Sequence, residues 1–278
     1  MTASRSEVLI SASELREVLA GGAPPTVLDV RWQLAKPDGR DDYASGHVPG
    51  AVYVSLDDDL TDHGLQGRGR HPLPSGAAIE SSARRWGIRT GVLVVVYDDW
   101  NRAASARAWW VLTAAGIPGV RILDGGLAAW TESGGELETG TATVEPGDVS
   151  VAHQDLYAGA LPTLSADEAA ALGNRLVDAR APERFRGDVE PVDPVAGHVP
   201  GAVNVPSTSL LAADGTFLAD DDLRARWGDG VGAYCGSGVT ASVVVVALAA
   251  AGVPVALFPG SWSQWCADPS RPVGVGPA

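Results

Sequence analysis

The sequence predicts an α/β fold built from two similar domains in tandem, each with a mostly parallel sheet flanked by helices. Three observations support this prediction. Residues 46–52, Gly-His-Val-Pro-Gly-Ala-Val, recur letter for letter as residues 197–203. Short apolar strands alternate with helical stretches along each half, which is typical of a parallel sheet with helices on both faces. The other features follow in the same order in both halves, so the chain is an internal duplication.

The elements of the two halves correspond one by one. A strand with an acidic residue and an arginine at its end precedes each repeated segment, and a strand ending in tyrosine follows it. A helix, a Gly-x-Pro turn, a short apolar strand and a glycine turn before tryptophan come next. These strands lie at residues 27–31, 93–97 and 122–123 in the first half and at 176–180, 231–234 and 256–257 in the second. Helices are predicted at 13–19, starting at Ser13, and at 76–86, 103–115 and 241–251.

This pattern predicts two domains joined by a linker, and only one of them carries a candidate nucleophile. We place an N-terminal domain at residues 1–135, a linker rich in Gly, Thr, Glu and Pro at 136–158, and a C-terminal domain at 159–278. Only the C-terminal domain carries a cysteine after its tyrosine strand, because the first half has Asp98 where the second has Cys235. One active site is therefore expected, with both halves forming its walls.

Composition excludes several classes of function. The formal net charge of −14 argues against nucleic acid or an anionic membrane as a partner. The two cysteines, Cys235 and Cys266, are too few for a disulfide scaffold. The start lacks the apolar segment of a signal peptide, and no stretch is long and apolar enough to span a bilayer. We expect a cytoplasmic protein with reduced thiols and, since its histidines and cysteines lack metal-ligand spacing, no metal or other cofactor.

The segment Cys235-Gly-Ser-Gly-Val-Thr240 lies between an apolar strand and an apolar helix. Backbone N–H groups of such a turn converge on the side chain at its start, and the helix N-terminus adds partial positive charge there. Both effects favour a thiolate, so Cys235 is predicted to be a nucleophile. A buried core cysteine is the alternative. A phosphatase that uses such a cysteine needs an arginine six positions later to bind the phosphoryl group. This chain has Ala241 there, which argues against a phosphatase.

These motifs resemble those of the tandem rhodanese-domain sulfurtransferases over nearly the whole chain. Tyr43-x-x-x-His-Val-Pro-Gly-Ala is similar to the N-terminal signature of that family, and residues 258–265, Phe-Pro-Gly-Ser-Trp-x-x-Trp, to the C-terminal one. The resemblance implies that Cys235 takes a sulfane sulfur from a small-molecule donor and becomes a persulfide. The acceptor would be cyanide or a thiol, either a low-molecular-weight thiol or a thioredoxin-like protein.

The cysteine loop resembles that of the 3-mercaptopyruvate sulfurtransferase branch of the family. This resemblance implies a proton relay of Ser237, His71 and Asp57, and it implies that the loop residues Gly236, Gly238, Val239 and Thr240 surround the donor. Thiosulfate is the alternative donor. The alternative function is that of a non-catalytic carrier, which holds a persulfide and passes it to a partner. Steady-state turnover with a small donor distinguishes an enzyme from a carrier.

The donor's carboxylate is expected to meet arginine. By resemblance, Arg184 in the segment Arg184-Phe-Arg-Gly holds it. The branch often has a second arginine several residues later, where this chain has Asp193. Arg186 is the residue expected to take over that function, and otherwise the donor itself would differ.

Several prominent residues have structural interpretations instead. His47 and His198 recur in both halves although only one half has the cysteine, so a role in stabilising the repeated turn is expected. Cys266 is expected to be structural. Trp32, Trp109 and Trp110 are expected to pack in the core or between the domains.

Overall fold

The computed structural model describes residues 4–277. Twelve α-helices lie within this range: α1 (Arg5–Val8), α2 (Ala12–Leu19), α3 (Arg40–Ser45), α4 (Leu56–Asp59), α5 (Gly76–Arg85), α6 (Ala103–Ala114), α7 (Gly126–Glu132), α8 (Ala166–Leu172), α9 (Pro182–Arg186), α10 (Asp220–Trp227), α11 (Ala241–Ala250) and α12 (Ser261–Trp265). Three short 3-10 helices occupy Leu156–Ala158, Gly173–Arg175 and Ser207–Leu210. No helix in the described part of the chain has both the length and the apolar character needed to cross a membrane.

Two parallel sheets form the centres of the two halves. Their strands are β1 (Leu9–Ile10), β2 (Thr26–Asp29), β3 (Val52–Tyr53), β4 (Val94–Tyr97), β5 (Val120–Leu123), β6 (Leu176–Asp178), β7 (Val203–Asn204), β8 (Gly232–Tyr234) and β9 (Ala256–Leu257). The strand order is β1-β5-β4-β2-β3 in the first sheet and β7-β6-β8-β9 in the second, and all paired strands run parallel. The predicted fold class is confirmed.

The repeated segments fold in the same way in both halves. The Tyr97 hydroxyl accepts a hydrogen bond from Val48 N at 3.0 Å, and the Tyr234 hydroxyl accepts one from Val199 N at 3.0 Å. Each repeated histidine donates through Nδ1 to a backbone carbonyl: His47 to Tyr43 at 2.9 Å and His198 to Phe185 at 2.8 Å. Each ring also stacks on the aromatic ring of that same partner. Both histidines therefore fasten the repeated turn to the helix before it.

One helix start differs from the sequence prediction. Helix α2 begins at Ala12, and Ser11 rather than Ser13 precedes it as the cap. The Ser11 hydroxyl accepts from Glu14 N at 3.2 Å, while the Glu14 carboxylate accepts from Ser11 N at 2.9 Å. This reciprocal pair is a capping box, and the spacing of serine and glutamate three residues apart is its sequence pattern.

A single hydrophobic cluster crosses from one half to the other. Helices α6 and α11 pack against each other, and the cluster contains Trp109 and Trp110 from the first helix and Val243 and Val244 from the second. Almost every residue of α11 is buried, which explains why that helix is apolar on all sides. The N-terminal end of α11, which follows the Cys235 loop, is consequently held between its own sheet and the first half of the chain.

Candidate active site

Cys235 lies at the carboxyl end of β8, on the turn that leads into α11. Its side chain is buried, with the residue only 1% exposed. The Gly238 N–H donates to Cys235 Sγ at 3.2 Å, and Cys235 N donates to the Ser261 hydroxyl at 3.1 Å. The turn therefore wraps around the sulfur and aims a backbone donor at it, an arrangement that stabilises negative charge on the sulfur.

Glycine is required at the donor position of this turn. Gly238 has a φ of +81°, a backbone conformation that side chains with a Cβ rarely adopt. A Cβ at this position would also lie 2.5 Å from the carbonyl oxygen of Pro259. The N–H that bonds the sulfur thus depends on a residue without a side chain.

The start of α12 fixes the turn from the other side. Ser261 takes the Cys235 N–H and donates its own hydroxyl proton to Phe258 O at 2.9 Å. Trp262 N bonds Cys235 O at 3.0 Å, and Ser263 N bonds Gly236 O at 2.9 Å. Sequence analysis identified residues 258–265 as a motif but missed Ser261 as a support of the cysteine; its φ of +51° is not visible in the sequence.

The structure brings Ser237, His71 and Asp57 together across the two halves. His71 Nδ1 lies 2.7 Å from Ser237 Oγ, and His71 Nε2 lies 3.4 Å from Asp57 Oδ1. Burial lowers the pKa of His71, although the carboxylate of Asp57 acts in the opposite direction. The contact with His71 in turn lowers the pKa of Asp57. The result is a hydroxyl–imidazole–carboxylate chain that begins two residues from the cysteine. The edge of Trp32 covers the imidazole, with ring centroids 5.7 Å apart.

Arg107 on α6 positions the histidine, and sequence analysis missed it. Its Nη2 donates to the carbonyl oxygens of His71 at 2.9 Å and Leu60 at 3.1 Å. The side chain is fully buried, and burial lowers the pKa of Arg107 to about 10. An arginine that is the only charged residue of a largely apolar helix is the signal that sequence analysis could have used.

Arg184 reaches the cysteine turn, and so does Arg70 of the first half. A methyl group placed on Gly236 would lie 3.1 Å from Arg70 Nη2 and 3.6 Å from both Nη1 and Nη2 of Arg184. Sequence analysis expected Arg184 and missed Arg70, although it directly precedes His71 in the chain. Arg184 also pairs with Glu190, at 2.6 Å between Nη2 and Oε1.

The structure also shows where the three remaining expected site residues lie. The structure does not bring Arg186 to the turn: its guanidinium pairs with Asp188 at 2.7 Å, and its side chain is 39% exposed. It lies two residues beyond Arg184 on the short helix α9, where it turns toward solvent instead. Val239 packs into the hydrophobic cluster. Thr240 directly precedes α11 and makes no capping bond with its side chain.

The corresponding turn of the first half holds a carboxylate. Asp98 follows β4 as Cys235 follows β8, and its Oδ1 accepts from Arg102 N at 3.2 Å. Its Oδ2 accepts from the backbone N and the hydroxyl of Ser105 at 3.1 and 2.8 Å. Both turns therefore hold an acceptor at the start of a buried helix, and only the second one holds a nucleophile. Within residues 4–277, no three His, Cys, Asp or Glu side chains are grouped as metal ligands would be.

Comparison with known proteins identifies relatives over almost the whole chain. Residues 11–133 and 163–268 each match the rhodanese-like domain family. The chain is 61% identical over 282 aligned residues to "Putative thiosulfate sulfurtransferase SseB" of Mycobacterium tuberculosis, covering 99% of both chains. It is 44% identical over 262 aligned residues to "Probable 3-mercaptopyruvate sulfurtransferase" of Pseudomonas aeruginosa, covering 90% of this chain and 92% of the relative.

A solved structure shares the fold over almost its whole length. The crystal structure of SseA from Escherichia coli, described as a 3-mercaptopyruvate sulfotransferase with the rhodanese fold, superimposes with a TM-score of 0.76. The two proteins are 32% identical, and the match covers 92% of this chain and 98% of that one.

Proposed function

The chain belongs to the rhodanese family and is a sulfurtransferase, and from this we propose that it moves a sulfane sulfur from 3-mercaptopyruvate through a persulfide on Cys235 to a thiol or cyanide. The observation that carries the choice of donor is the 2.7 Å contact between Ser237 and His71, with Asp57 behind the imidazole. A relay of this kind matters for a donor whose leaving group needs a proton. The name of the Pseudomonas aeruginosa relative points to the same donor.

The proposed reaction transfers sulfur in one displacement. The sulfur of Cys235 attacks the sulfur of 3-mercaptopyruvate; an S–S bond forms and the carbon–sulfur bond breaks. The electron pair of the broken bond moves to the methylene carbon, which becomes the enolate of pyruvate. This carbon needs a proton, while the substrate's thiol loses one. Ser237 and His71 transfer that proton from sulfur to carbon, and Asp57 stabilises the imidazolium that forms in between.

The backbone of the turn supports both charged forms of the sulfur. The Gly238 N–H bonds Cys235 Sγ and would stabilise negative charge on a persulfide formed there. Arg184, next to Gly236, supplies a guanidinium for the carboxylate of the donor. An acceptor thiolate then attacks the outer sulfur of the persulfide and regenerates Cys235. A reduced low-molecular-weight thiol or a thioredoxin-like protein fits this step, and we place the enzyme in the cytoplasm, where such thiols stay reduced.

Thiosulfate is the second candidate donor. The 61% identical relative from Mycobacterium tuberculosis is named for it. Sulfite leaves thiosulfate without needing a proton, so this reaction would use Cys235 and the turn but not the relay. The two donors therefore make different demands on Ser237.

The test compares both donors in the wild type, Cys235→Ser and Ser237→Ala. Pyruvate release is measured for 3-mercaptopyruvate, and thiocyanate formed from cyanide is measured for thiosulfate. Cys235→Ser should abolish both reactions. Ser237→Ala should slow 3-mercaptopyruvate turnover by about 10²-fold or more and leave thiosulfate turnover within about threefold.

Three outcomes would contradict this proposal. A wild type with a clearly higher kcat/KM for thiosulfate would overturn the choice of donor. Equal losses for both donors in Ser237→Ala would remove the relay. A single stoichiometric loading of Cys235 without steady-state turnover would identify a persulfide carrier instead of an enzyme.

A further inference from the structure

Asp193 is a buried acid with one unbonded oxygen, and the proposed function gives it no role. Its side chain is only 4% exposed, and its Oδ1 forms an ion pair with Arg70 Nη1. Oδ2 has no hydrogen-bond donor within the part of the chain that the structure describes, and Arg184 Nη2 lies 3.6 Å from it. Burial raises the pKa of Asp193, which agrees with a poorly compensated carboxylate. Since an unbonded buried oxygen is costly, a ligand that donates to Oδ2 would be bound favourably.

The neighbouring acid, Glu190, shows the contrast. Its Oε1 accepts from Arg184 Nη2 at 2.6 Å and from the backbone N–H groups of Val192 and Asp193 at 3.1 Å each. Its Oε2 accepts from Arg184 Nε and from Arg180 Nη1, both at 3.3 Å. Glu190 therefore has its hydrogen bonds within the protein and fixes the position of Arg184. Asp193 is the acid of this pair that has an oxygen left for a ligand.

The charges beside the cysteine turn balance each other. Arg70 and Arg184 both approach the place where a side chain on Gly236 would begin, at 3.1 Å and 3.6 Å. Asp193 pairs with both arginines, and Glu190 pairs with Arg184. The formal charges of these two arginines and two acids cancel. A site without net charge fits a zwitterion better than a simple anion, because each charge of the zwitterion meets an opposite one.

The arrangement of these charges matches an ammonium and a carboxylate on the same carbon atom. Such a ligand needs an anion and a cation side by side, and Asp193 Oδ2 lies 3.6 Å from Arg184 Nη2. Asp193 also lines a cleft of about 530 Å³ together with Ser263. Ser263 N bonds Gly236 O at 2.9 Å, so this cleft lies next to the cysteine turn. A small zwitterion held there is close to the residue that carries the sulfur.

We propose that Asp193 binds the ammonium group of the sulfur acceptor, and that this acceptor is a small aminothiol with an ammonium and a carboxylate on one carbon. The inference rests on the proposed function for the persulfide on Cys235. After the donor's remnant has left, Arg184 holds the acceptor's carboxylate and Asp193 Oδ2 accepts from its ammonium. The acceptor's thiol loses its proton to water, and the thiolate attacks the outer sulfur of the persulfide. A new S–S bond forms, the S–S bond to Cys235 breaks, and its electron pair restores the Cys235 thiolate.

The test compares two acceptors, L-cysteine and 3-mercaptopropionate, which differ only in the ammonium group. Cys235 is first converted to its persulfide with inorganic polysulfide, so the result does not depend on the sulfur donor. Each thiol is then added, and loss of the outer sulfur is followed by mass spectrometry of the peptide that contains Cys235, which separates it from Cys266. The quantity compared among variants is the ratio of the L-cysteine rate to the 3-mercaptopropionate rate. The two thiols differ in acidity, and this difference is the same for every variant.

Asp193→Asn should lower this ratio by about tenfold, because the charge that pairs with the ammonium is gone while the shape is kept. Both thiols carry a carboxylate, so any change in the neighbouring arginines affects the two rates alike. Asp193→Glu keeps the charge and should keep part of the ratio. The matched control is Asp188→Asn, which removes the same charge five residues earlier. The Asp188 side chain is 54% exposed and pairs with Arg186, so the ratio should not change.

An unchanged ratio in Asp193→Asn would overturn the proposal, and so would an equal fall in Asp188→Asn. A wild-type persulfide that neither thiol removes would also overturn it and would point to a protein acceptor. A protein that turns over no sulfur donor but shows the expected ratios would contradict the proposed function and support the aminothiol site. Normal turnover of a donor with unchanged ratios would do the reverse.

Discussion

At the scale of single residues, the position of His71 determines what the relay does first. Its ring lies between the Ser237 hydroxyl and the Asp57 carboxylate, and its backbone carbonyl is held by Arg107. Burial lowers the pKa of this histidine, so the imidazole is neutral at pH 7. A neutral imidazole accepts a proton before it donates one. This order fits a reaction in which the substrate's thiol loses its proton before the carbon gains one.

The pH dependence of turnover tests this state of His71. Protonation of the free imidazole should inactivate the relay, so the kcat/KM for 3-mercaptopyruvate should fall on the acid side with an apparent pKa below 6.5, the ordinary value for histidine. Asp57→Asn removes the carboxylate that favours the imidazolium, and it should move this acid limb to still lower pH. Thiosulfate turnover serves as the control, since it does not use the relay. An acid limb at or above 6.5 would contradict a buried neutral histidine.

The lowered pKa of His71 also makes the stability of the folded protein depend on pH. The pKa of His71 is lower in the folded protein than in the unfolded chain, so the unfolded chain binds more protons between the two values. The contribution of His71 to stability is therefore complete above pH 6.5 and declines as the pH falls below it. Activity and stability are therefore both expected to decrease as the pH falls. The kinetic measurement requires a parallel check that the protein stays folded.

At the scale of elements, the sequence predicted strands and helices correctly where a local pattern of apolar residues encodes them. Apolar runs ending at Tyr97 and Tyr234, and the all-apolar helix after Cys235, correspond to β4, β8 and α11. Asp57, His71 and Ser237 were proposed together only through family resemblance, because they are distant in the chain. Arg70 was missed for the same physical reason: its partner Asp193 belongs to the other half of the chain. Contacts between halves leave no periodic pattern in either segment.

The two equivalent turns occupy the same place in their halves but surround different side chains. The turn after β4 surrounds a carboxylate, and the turn after β8 surrounds a sulfur. In the first turn the N–H groups of Arg102 and Ser105 face the acceptor, and in the second the N–H of Gly238 does. Each turn leads into a buried helix, whose dipole favours negative charge. We infer that the geometry of the turn, rather than any feature of cysteine itself, makes this position suitable for an anionic sulfur.

Gly238→Ala tests this dependence on turn geometry, with Gly215→Ala as its matched control. Both glycines have a positive φ, +81° and +79°, so alanine should cost each variant about 1–2 kcal/mol of unfolding free energy. Only at Gly238 would the new Cβ meet a backbone oxygen, that of Pro259, whereas nothing lies within 4 Å at Gly215. Gly238→Ala should therefore displace the N–H that bonds Cys235 and lower turnover with either donor by at least about tenfold.

Denaturant titrations and steady-state rates give the two readouts. Gly215→Ala should lose stability and keep its activity per folded molecule. If Gly238→Ala keeps the activity of its control, the turn does not act through the Gly238 N–H.

At the scale of the whole molecule, the two halves share one hydrophobic cluster and build one site. The active site takes its nucleophile and Ser237 from the second half and His71, Asp57 and Arg70 from the first. The hydrophobic cluster shared by α6 and α11 fixes these parts relative to each other. Near the N-terminus, Arg5 of the first half bonds Phe217 O at 2.9 Å and pairs with Asp220 at 2.8 Å. A site divided in this way works only while the interface is intact.

The shared core leads to an expectation about unfolding. Because α11 is buried partly by α6, neither half can lose its core without exposing apolar surface of the other, and calorimetry should show a single transition for both halves. Leu112→Ala removes a fully buried side chain from α6 and should cost about 2–5 kcal/mol. Native-state hydrogen exchange should then show lower protection at β8, in the other half, by the same free energy as at β4. Two separate calorimetric transitions, or loss of protection confined to β4, would mean that the halves unfold independently and that the interface does not couple them.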